Sequence, residues 1–332
     1  MKVLANTNEL SREQWLELRK TGIGGSDAGT ILGVNPYSSP YALWASKTGL
    51  VEDTFKGNAA TDWGNRLERT VAEAFAQETN KAVVEWPVML QGEKPWQLAN
   101  VDFFIVDKPE WNGVVTTVED IGDLRIEAIL ECKTTGIVGR GNARAWENNG
   151  VPTSYFWQGA HYSLVTGVHT VFFACLIGSV GLVIRERNYE QETLGQLLEA
   201  EANFWELIQK KSAPDLTGAD AEFEVLKALY PESTGTSVEV SEWILDRLAD
   251  YRQAKAELDE AEAKVKAARV ELEAAIADAD EATYQGRTLF TYKSNKCSAK
   301  FDDKRFREEY PELYNQYLVE RQGARVLRLK GE

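Results

Sequence analysis

Two acidic residues and a lysine lie at the ends of two apolar segments of this chain. Glu131 and Lys133 follow the apolar residues 128–130, and Asp102 precedes the apolar residues 103–106. Side chains alternate between the two faces of a strand, so Glu131 and Lys133 are expected on one face and the cysteine between them on the other. Charged groups at the end of a buried strand are costly unless they bind something. The pattern therefore predicts a binding site for a charged ligand.

These residues have the chemistry that phosphodiester hydrolysis needs. Asp102, Glu131 and the backbone carbonyl of Cys132 offer oxygen ligands for a divalent metal ion, which activates water and relieves charge on the phosphate. Lys133 is expected to orient or help deprotonate the attacking water and to stabilise the transition state. The pattern predicts a metal-dependent nuclease.

Residue counts restrict the identity of the metal. The chain has only two histidines and three cysteines, which argues against a histidine-based zinc site and against an iron–sulfur cluster. Oxygen ligands favour Mg²⁺, with Mn²⁺ as a substitute. The odd, widely spaced cysteines also indicate reduced thiols in the cytoplasm. No apolar run approaches the roughly 20 residues that span a bilayer, and no signal peptide is recognised, so no membrane association is expected.

Other acidic residues compete for the ligand role. Asp107, Asp123 and Glu127 flank the same apolar segments, and Glu127 is expected on the strand face of Glu131. Asp102 is favoured because it leads an apolar strand. An isolated Glu-x-Lys is most often a solvated surface pair, so the interpretation depends on the apolar lead-in and on Asp102.

Polar residues on two predicted helices are further candidates. Glu68 lies at the border of the apolar stripe of a helix over 61–79, a position that suits a side chain reaching into an active-site cleft. Gln158 and Tyr162 lie on a helix over 153–166 and are both expected to contact DNA, Tyr162 by reaching a phosphate backbone. The alternative is that all three are ordinary helix-boundary or helix-surface residues.

A glycine-rich segment, residues 21–27, separates the first two predicted helices. Glycines let a backbone approach a phosphate closely, and Arg19 one turn upstream offers a bidentate contact. Ser26 or Asp27 is expected to cap the following helix. Glycine-rich turns mostly only redirect the chain, and this one lacks the Lys-Ser/Thr ending of a P-loop, which disfavours nucleotide hydrolysis.

Helical and strand-like patterns alternate in the first two thirds of the chain. Helices are predicted over 11–20, 40–48, 61–79, 153–166 and 190–211, and strands over 82–90, 97–106, 116–119, 125–134, 169–177 and 181–188. With helices on both faces, this order predicts an α/β domain of three layers around a mixed sheet.

Three regions are predicted: a nuclease core over 1–215, a helical arm over 216–282 and a small basic α+β segment over 283–332. A helix over 242–281 has large residues every seven positions and alanines three positions later. The large residues are Ile244, Tyr251, Leu258, Val265 and Leu272; the alanines are Ala254, Ala261, Ala268 and Ala275. This pattern fits packing on its own domain, on a sister subunit or on a dedicated partner.

The net charge of −15 argues against binding of nucleic acid, but the charge is unevenly distributed. Residues 287–330 contain 11 Lys and Arg against 6 Asp and Glu. Net charge governs solubility and long-range attraction rather than the lining of one groove, so DNA binding stays compatible with the composition.

Six segments in order make the chain resemble the YqaJ-like viral recombinases, relatives of phage lambda exonuclease within the PD-(D/E)XK nuclease superfamily. They are residues 21–27, 39–44, 64–68, 100–102, 131–135 and 158–167, and the resemblance covers residues 10–180. The proline of the superfamily name is absent, because Asn100 and Val101 precede Asp102. That proline is commonly lost.

The resemblance implies a restriction-endonuclease-like core with a central mixed sheet flanked by helices, followed by a C-terminal extension with one long helix. In that core Asp102, Glu131 and Lys133 correspond to the metal-binding and catalytic residues, with Glu68 assisting. It implies a phage- or prophage-encoded protein that acts in the bacterial cytoplasm.

Arg19 and Ser26 match the family positions that contact a 5′-terminal phosphate. The resemblance implies a Mg²⁺-dependent exonuclease that digests linear double-stranded DNA 5′→3′ and leaves a 3′ single strand for an annealing partner. A homo-oligomer is expected, since ring-shaped trimers occur in the lambda-like branch. Two alternatives remain: an endonuclease with the same core, and a non-catalytic DNA-end-binding scaffold that recruits partners through its long helix.

Overall fold

A computed structural model describes residues 1–52, 57–136, 143–178, 180–319, 323 and 325–330. The chain divides into two compact units, Met1–Pro231 and Glu232–Glu332. The first unit thus extends beyond residue 215, where the sequence suggested a boundary. The reason is Val225, which is buried with Trp44 and Phe204 in one apolar cluster of this unit.

The helices and strands of the first unit follow each other in alternating blocks. The helices are α1 Arg12–Lys20, α2 Gly25–Ile31, α3 Pro40–Lys47, α4 Ala59–Thr79, α5 Thr153–Thr166, α6 Gln191–Lys210 and α7 Asp220–Leu229. The strands are β1 Lys2–Asn6, β2 Ala82–Glu85, β3 Val88–Gln91, β4 Leu98–Ala99, β5 Phe103–Val106, β6 Val115–Thr117, β7 Ile126–Thr135, β8 Thr170–Ile177 and β9 Gly181–Asn188.

The main sheet has six strands in the order β6-β2-β5-β7-β8-β9. It is mixed, because β7 runs parallel to β8 while β5 and β7 are antiparallel. Phe103 of β5 pairs with Leu130 of β7. This register brings the residue before Phe103, which is Asp102, next to Glu131.

Helices cover both faces of this sheet. Helix α4 buries Val71 and Phe75 against one face, together with Leu130 of β7. Helices α5 and α6 bury Val165 and Leu197 against the other face. The predicted α/β architecture of three layers around a mixed sheet is confirmed.

A second, three-stranded sheet has the order β1-β3-β4. Two of the predicted strands are wrong as single elements because they divide between the two sheets. Pro87 separates β2 from β3, and residues 100–102 separate β4 from β5. A proline removes a hydrogen-bond donor and is disfavoured within a central strand, which explains the first break. Strand β1 was not expected.

The second unit contains a long helix, a hairpin and two short helices. They are α8 Glu242–Ile276, β10 Glu281–Tyr284, β11 Arg287–Thr291, α9 Asp303–Glu309 and α10 Pro311–Gln316. The helix prediction to Glu281 was too long, because Ala277 has φ 49° and ends α8. Of the large heptad residues, Tyr251, Leu258, Val265 and Leu272 are 47 to 69% exposed in this chain.

Among the described residues, we find no helix whose length and apolar character would let it cross a bilayer.

Candidate active site

Strands β5 and β7 bring the predicted acidic residues together at one end of the sheet. Asp102 comes just before β5, and its Oδ2 atom accepts a hydrogen bond of 2.9 Å from the backbone N–H of Cys132 on β7. The Cys132 side chain packs on the α4 face of the sheet, whereas Glu131 contacts α5 on the opposite face. The alternation that the sequence predicted for β7 is therefore present.

Glu131 is fully buried and makes asymmetric contacts. Its Oε1 atom accepts hydrogen bonds from the Lys133 ammonium and from Gln158 Nε2, the latter at 2.5 Å. Its Oε2 atom is also buried, and it has no hydrogen-bond partner among the described residues. The Lys133 ammonium lies 4.8 Å from the ring centroid of Tyr155. One oxygen of a buried carboxylate is thus left for a ligand.

A cavity of about 380 Å³, here called the carboxylate cavity, collects these side chains. It is lined by Thr61, Gly64, Asn65, Glu68, Asp102, Glu131, Cys132, Lys133, Thr134, Tyr155 and Gln158. Helix α4 contributes Glu68 from the opposite side of the sheet. All four residues predicted to be catalytic therefore face one space.

The carboxylates of this cavity destabilise each other's charged forms. Burial, followed by the nearby Asp102 carboxylate, raises the pKa of Glu131 and of Glu68 to about 8. Burial also raises the pKa of Asp102. For Lys133 burial alone would lower the pKa, but the carboxylates of Glu131 and Asp102 outweigh it and raise the pKa. One ammonium group does not balance three carboxylates, so the cavity favours an additional cation.

The donor set fits a small, hard cation. Among the described residues, no three acidic, histidine or cysteine side chains converge as a complete metal cage. Asp102 and Glu131 supply two carboxylates, and the peptide carbonyl of Cys132 is the proposed third ligand. Mg²⁺ commonly binds through one or two carboxylates and keeps several water ligands. The Oε2 atom of Glu131, which is buried and has no partner in the described part of the chain, is consistent with such an ion.

The glycine loop, residues 21–27, places Arg19 and Ser26 together. Arg19 Nη2 donates a hydrogen bond of 2.8 Å to Ser26 Oγ. The Arg19 guanidinium also stacks over the ring of Trp15, 4.8 Å from its centroid. Trp15 Nε1 in turn donates to Asn100 Oδ1 at 3.2 Å. The Trp15 ring therefore packs against the guanidinium and helps to hold Arg19 in place.

A second cavity of about 200 Å³, the loop cavity, adjoins the carboxylate cavity. It is lined by Trp15, Arg19, Gly24, Gly25, Ser26, Met89, Leu98, Asn100, Asp102, Gln158 and Tyr162. Asp102 and Gln158 line both cavities. The structure therefore brings the predicted phosphate-binding residues and the predicted metal ligands to one continuous groove.

Backbone contacts hold the glycine loop against β4. The N–H of Ile23 donates to the carbonyl of Trp96 at 2.7 Å, and the N–H of Leu98 donates to the carbonyl of Ile23 at 2.9 Å. A Cβ atom on Gly22 would lie 2.4 Å from that Trp96 oxygen, and one on Gly25 would lie 2.5 Å from the Tyr162 ring. Close packing is thus one reason for glycine at these positions.

Gln158 and Tyr162 lie inside the site, but their contacts are with protein. Tyr162 is 4% exposed, and its hydroxyl accepts a hydrogen bond of 2.9 Å from Gln158 Nε2. Gln158 also donates to Glu131, so it orients a carboxylate that is predicted to be catalytic. The prediction that these two residues contact DNA stays a prediction.

The competing acidic residues Asp107, Asp123 and Glu127 are exposed and line neither cavity. Two aromatic residues of the site, Trp15 and Tyr155, were not predicted. Trp15 lies four residues before Arg19 on the same helix, a spacing that places the two side chains next to each other. That spacing was the available signal.

Comparisons with known proteins agree with these observations. The YqaJ-like viral recombinase domain matches residues 14–169. The "uncharacterized protein YqaJ" of Bacillus subtilis (strain 168) is 32% identical over 323 residues, which cover 96% of this chain and 94% of that protein. Protein D345L of African swine fever virus is 39% identical over 70 residues, 20% of each chain.

Among solved structures, the alkaline exonuclease LHK-Exo of Laribacter hongkongensis is similar with a TM-score of 0.47 and 14% identity, covering 65% of this chain and 97% of that one. The family assignment depends on the sequence matches instead. Because the similarity to the Bacillus protein extends over nearly the whole of both chains, the protein belongs to the YqaJ-like viral recombinase family.

Proposed function

We propose that this protein is a Mg²⁺-dependent nuclease that digests linear double-stranded DNA from its 5′ ends. The observation that carries the proposal is the carboxylate cavity. It holds buried Asp102 and Glu131 beside the Lys133 ammonium, and one oxygen of Glu131 has no partner among the described residues. Such an arrangement is costly for a structural site and is typical of one that binds a cation and a phosphate.

Each residue has a distinct role in this proposal. Asp102 and Glu131, with the Cys132 carbonyl, hold the metal. When bound, Mg²⁺ supplies an activated water and offsets the negative charge of the phosphate. Gln158 donates to Glu131 and fixes its orientation. Lys133 places positive charge where the transition state gains negative charge. Glu68, in the same cavity, assists from α4.

The loop cavity supports action at an end. Arg19 and Ser26 lie beside Asp102, and a guanidinium with a hydroxyl is well suited to bind a terminal phosphate through charge-assisted hydrogen bonds. A 5′-phosphate bound there would place a nearby phosphodiester in the carboxylate cavity. We therefore propose 5′→3′ digestion that leaves a 3′ single strand.

A recombination role is consistent with the family. In this proposal the 3′ strand passes to a single-strand annealing protein, and the enzyme acts as a homo-oligomer in the cytoplasm of a bacterium that carries the phage or prophage. The exposed heptad residues of α8 provide a surface on which a sister subunit can pack.

One digestion experiment tests the function. Linear and closed circular duplexes of the same sequence are incubated with the protein in Mg²⁺, in Mn²⁺ and in a chelator. We expect loss of the linear duplex only, with either metal and not in chelator. Cleavage of the circle would identify an endonuclease, and binding of ends without turnover would identify a scaffold.

A second experiment measures the direction in which the strand is digested. A linear duplex labelled at one 5′ end or at one 3′ end is digested under single-turnover conditions. Early release of the 5′ label supports the proposal, whereas early release of the 3′ label refutes the direction but leaves the nuclease assignment intact.

A further inference from the structure

Lys47 is a largely buried cation whose ammonium contacts acceptors of the protein itself. It lies at the C-terminal end of α3, and its side chain is 7% exposed. Its ammonium contacts the carbonyls of Arg19 at 2.8 Å and Gly22 at 2.6 Å, and the Oδ2 atom of Asp27 at 2.8 Å. An ammonium has three N–H donors, so these three acceptors use all of them. Through these contacts Lys47 ties the end of α1 and Asp27 to the loop.

Asp27 is the matching buried anion. Its Oδ2 atom also accepts the N–H of Gly24 at 2.9 Å, and its Oδ1 atom lies 3.8 Å from Arg19 Nη2. Burial opposes its ionisation, but the charges of Lys47 and Arg19 outweigh this and lower the pKa of Asp27. Asp27 therefore carries a negative charge next to Arg19, the residue proposed to bind a phosphate, and Lys47 compensates for it.

The charges around Arg19 differ on its two sides. A cavity of about 300 Å³ on the α1 and α3 side is lined by more acidic than basic residues. The acidic residues are Glu13, Glu17, Asp27 and Glu52, and the basic ones are Arg19, Lys20 and Lys47. The loop cavity on the other side contains Ser26, and its one acidic lining residue is Asp102. An anion drawn to Arg19 is thus favoured on the Ser26 side, provided that Asp27 remains neutralised.

We propose that Lys47 and Asp27 form a positioning pair for phosphate recognition. Lys47 ties the end of α1 to the glycine loop through two carbonyls, and it cancels the Asp27 charge so that Arg19 keeps its full attraction for a phosphate. Asp27 in turn holds the loop through Gly24. The inference depends on the proposed binding of a terminal phosphate by Arg19 and Ser26.

The test compares two linear duplexes that differ only in a 5′-phosphate or a 5′-hydroxyl. The measured quantity is the ratio of kcat/KM for the two substrates, with kcat and KM also reported separately. We expect Lys47→Met to reduce the phosphate preference by about tenfold or more, mainly through KM for the phosphorylated duplex. Its kcat on the 5′-hydroxyl duplex should change little, which a general loss of structure would not produce.

A double variant separates charge from geometry. Asp27→Asn combined with Lys47→Met removes both charges, so it should recover much of the preference that Lys47→Met loses. Lys47→Arg keeps the charge and should remain closer to wild type than Lys47→Met. Lys20→Met is the matched control, since Lys20 is a more exposed lysine of α1 and pairs with Glu17. It should leave the ratio unchanged.

The outcomes separate this inference from the function itself. If Arg19→Ala abolishes the preference and a folded Lys47→Met keeps it, the positioning pair is refuted while the phosphate site stands. If Arg19→Ala also keeps the preference, both are refuted. If Lys47→Met does not fold, the neutral double variant decides, because a tenfold loss of preference in that variant would overturn the role of charge compensation.

Discussion

The carboxylate cavity and the glycine loop are two ends of one groove, and they differ in how far the protein compensates their buried charges. In the cavity, Asp102, Glu131 and Glu68 face a single ammonium, and one carboxylate oxygen has no partner among the described residues. In the loop, Asp27 is paired with Lys47 and lies near Arg19. At the first end the described residues leave negative charge uncompensated, whereas at the second end the charge of Asp27 is compensated by Lys47.

This difference shows how a fold can carry two kinds of binding site. An unbalanced site destabilises the empty protein and gains stability when its ligand binds. A balanced site is stable when empty and can present one remaining charged group to a ligand, which is the role proposed for Arg19. Substitutions at the two ends should therefore affect stability and activity in different combinations.

The largest effect is expected for Asp102→Asn. It removes a proposed metal ligand, so DNA cleavage should fall by at least about 10³-fold. The same change relieves repulsion among buried carboxylates, so the Tm of the metal-free protein should rise at about pH 8. Nuclease assays and thermal unfolding in chelator measure the two effects.

Asp107→Asn is the control for that substitution, because Asp107 is an exposed acidic residue at the other end of β5. Asp107→Asn should leave both the cleavage rate and the Tm in chelator near wild type. A cleavage rate for Asp102→Asn within tenfold of wild type would contradict the ligand assignment.

Lys133→Met should lower cleavage, as Asp102→Asn does, but it should change stability in the opposite direction. Cleavage should fall by about 10²- to 10³-fold, because positive charge near the phosphate is lost. Stability should also fall, since Glu131 loses its ion-pair partner, and the sign of the Tm change is then opposite to that of Asp102→Asn. Lys94→Met, at an exposed lysine, is the control. If Asp102→Asn and Lys133→Met changed the Tm in the same direction, the description of the cavity as carrying excess negative charge would be contradicted.

Arg19→Ala tests the glycine-loop end of the groove, where the charge of Asp27 is compensated. Loss of charge-assisted hydrogen bonds should reduce the preference for a 5′-phosphate by about 10- to 100-fold, with residual cleavage of both substrates. The Tm should change little because Arg19 is partly exposed. Arg12→Ala on the same helix should keep the preference. A preference that survives Arg19→Ala would show that the phosphate binds elsewhere.

The smallest effect is a pH dependence of stability in the absence of metal. The folded-state pKa values of Glu68 and Glu131 are raised from 4.5 to about 8. Groups of this kind contribute stability that is fully present below the unfolded value and is lost as pH rises through the folded value. In chelator, the Tm should therefore decrease between about pH 5 and about pH 9.

The Glu68→Gln variant should show a flatter dependence, and saturating Mg²⁺ should reduce the slope in the wild type. A Tm that rises with pH over this range in chelator would contradict the raised pKa values of Glu68 and Glu131. Thermal unfolding in a series of buffers of equal ionic strength provides the measurement.

Local patterns were sufficient for much of the core. The helix predicted over 153–166 has those bounds in the structure, because Pro152 precedes it and Gly167 ends it with φ 76°. The alternation of β7 placed Glu131 and Lys133 on one face. Both features follow from the residues themselves, through helix-ending signals and the two-residue period of a strand.

Features that depend on distant partners were not predictable in the same way. Strand β1 exists because Lys2–Asn6 pairs with β3, more than 80 residues away. The pairing of Lys47 with Asp27 depends on how α3 packs near the loop, and a lysine at the end of a helix gives no sign of burial. The end of α8 was missed because Ala277 adopts a positive φ that its residue type rarely takes.

The contact between Ile23 and β4 has a mechanical consequence. Hydrogen bonds on both sides of Gln97 tie the loop to a segment that reaches Asp102 only four residues after Leu98. These hydrogen bonds therefore fix the spacing between the glycine loop and Asp102 through the backbone. Under the proposed function, this fixed spacing would determine how far from a bound 5′-phosphate the strand is cut.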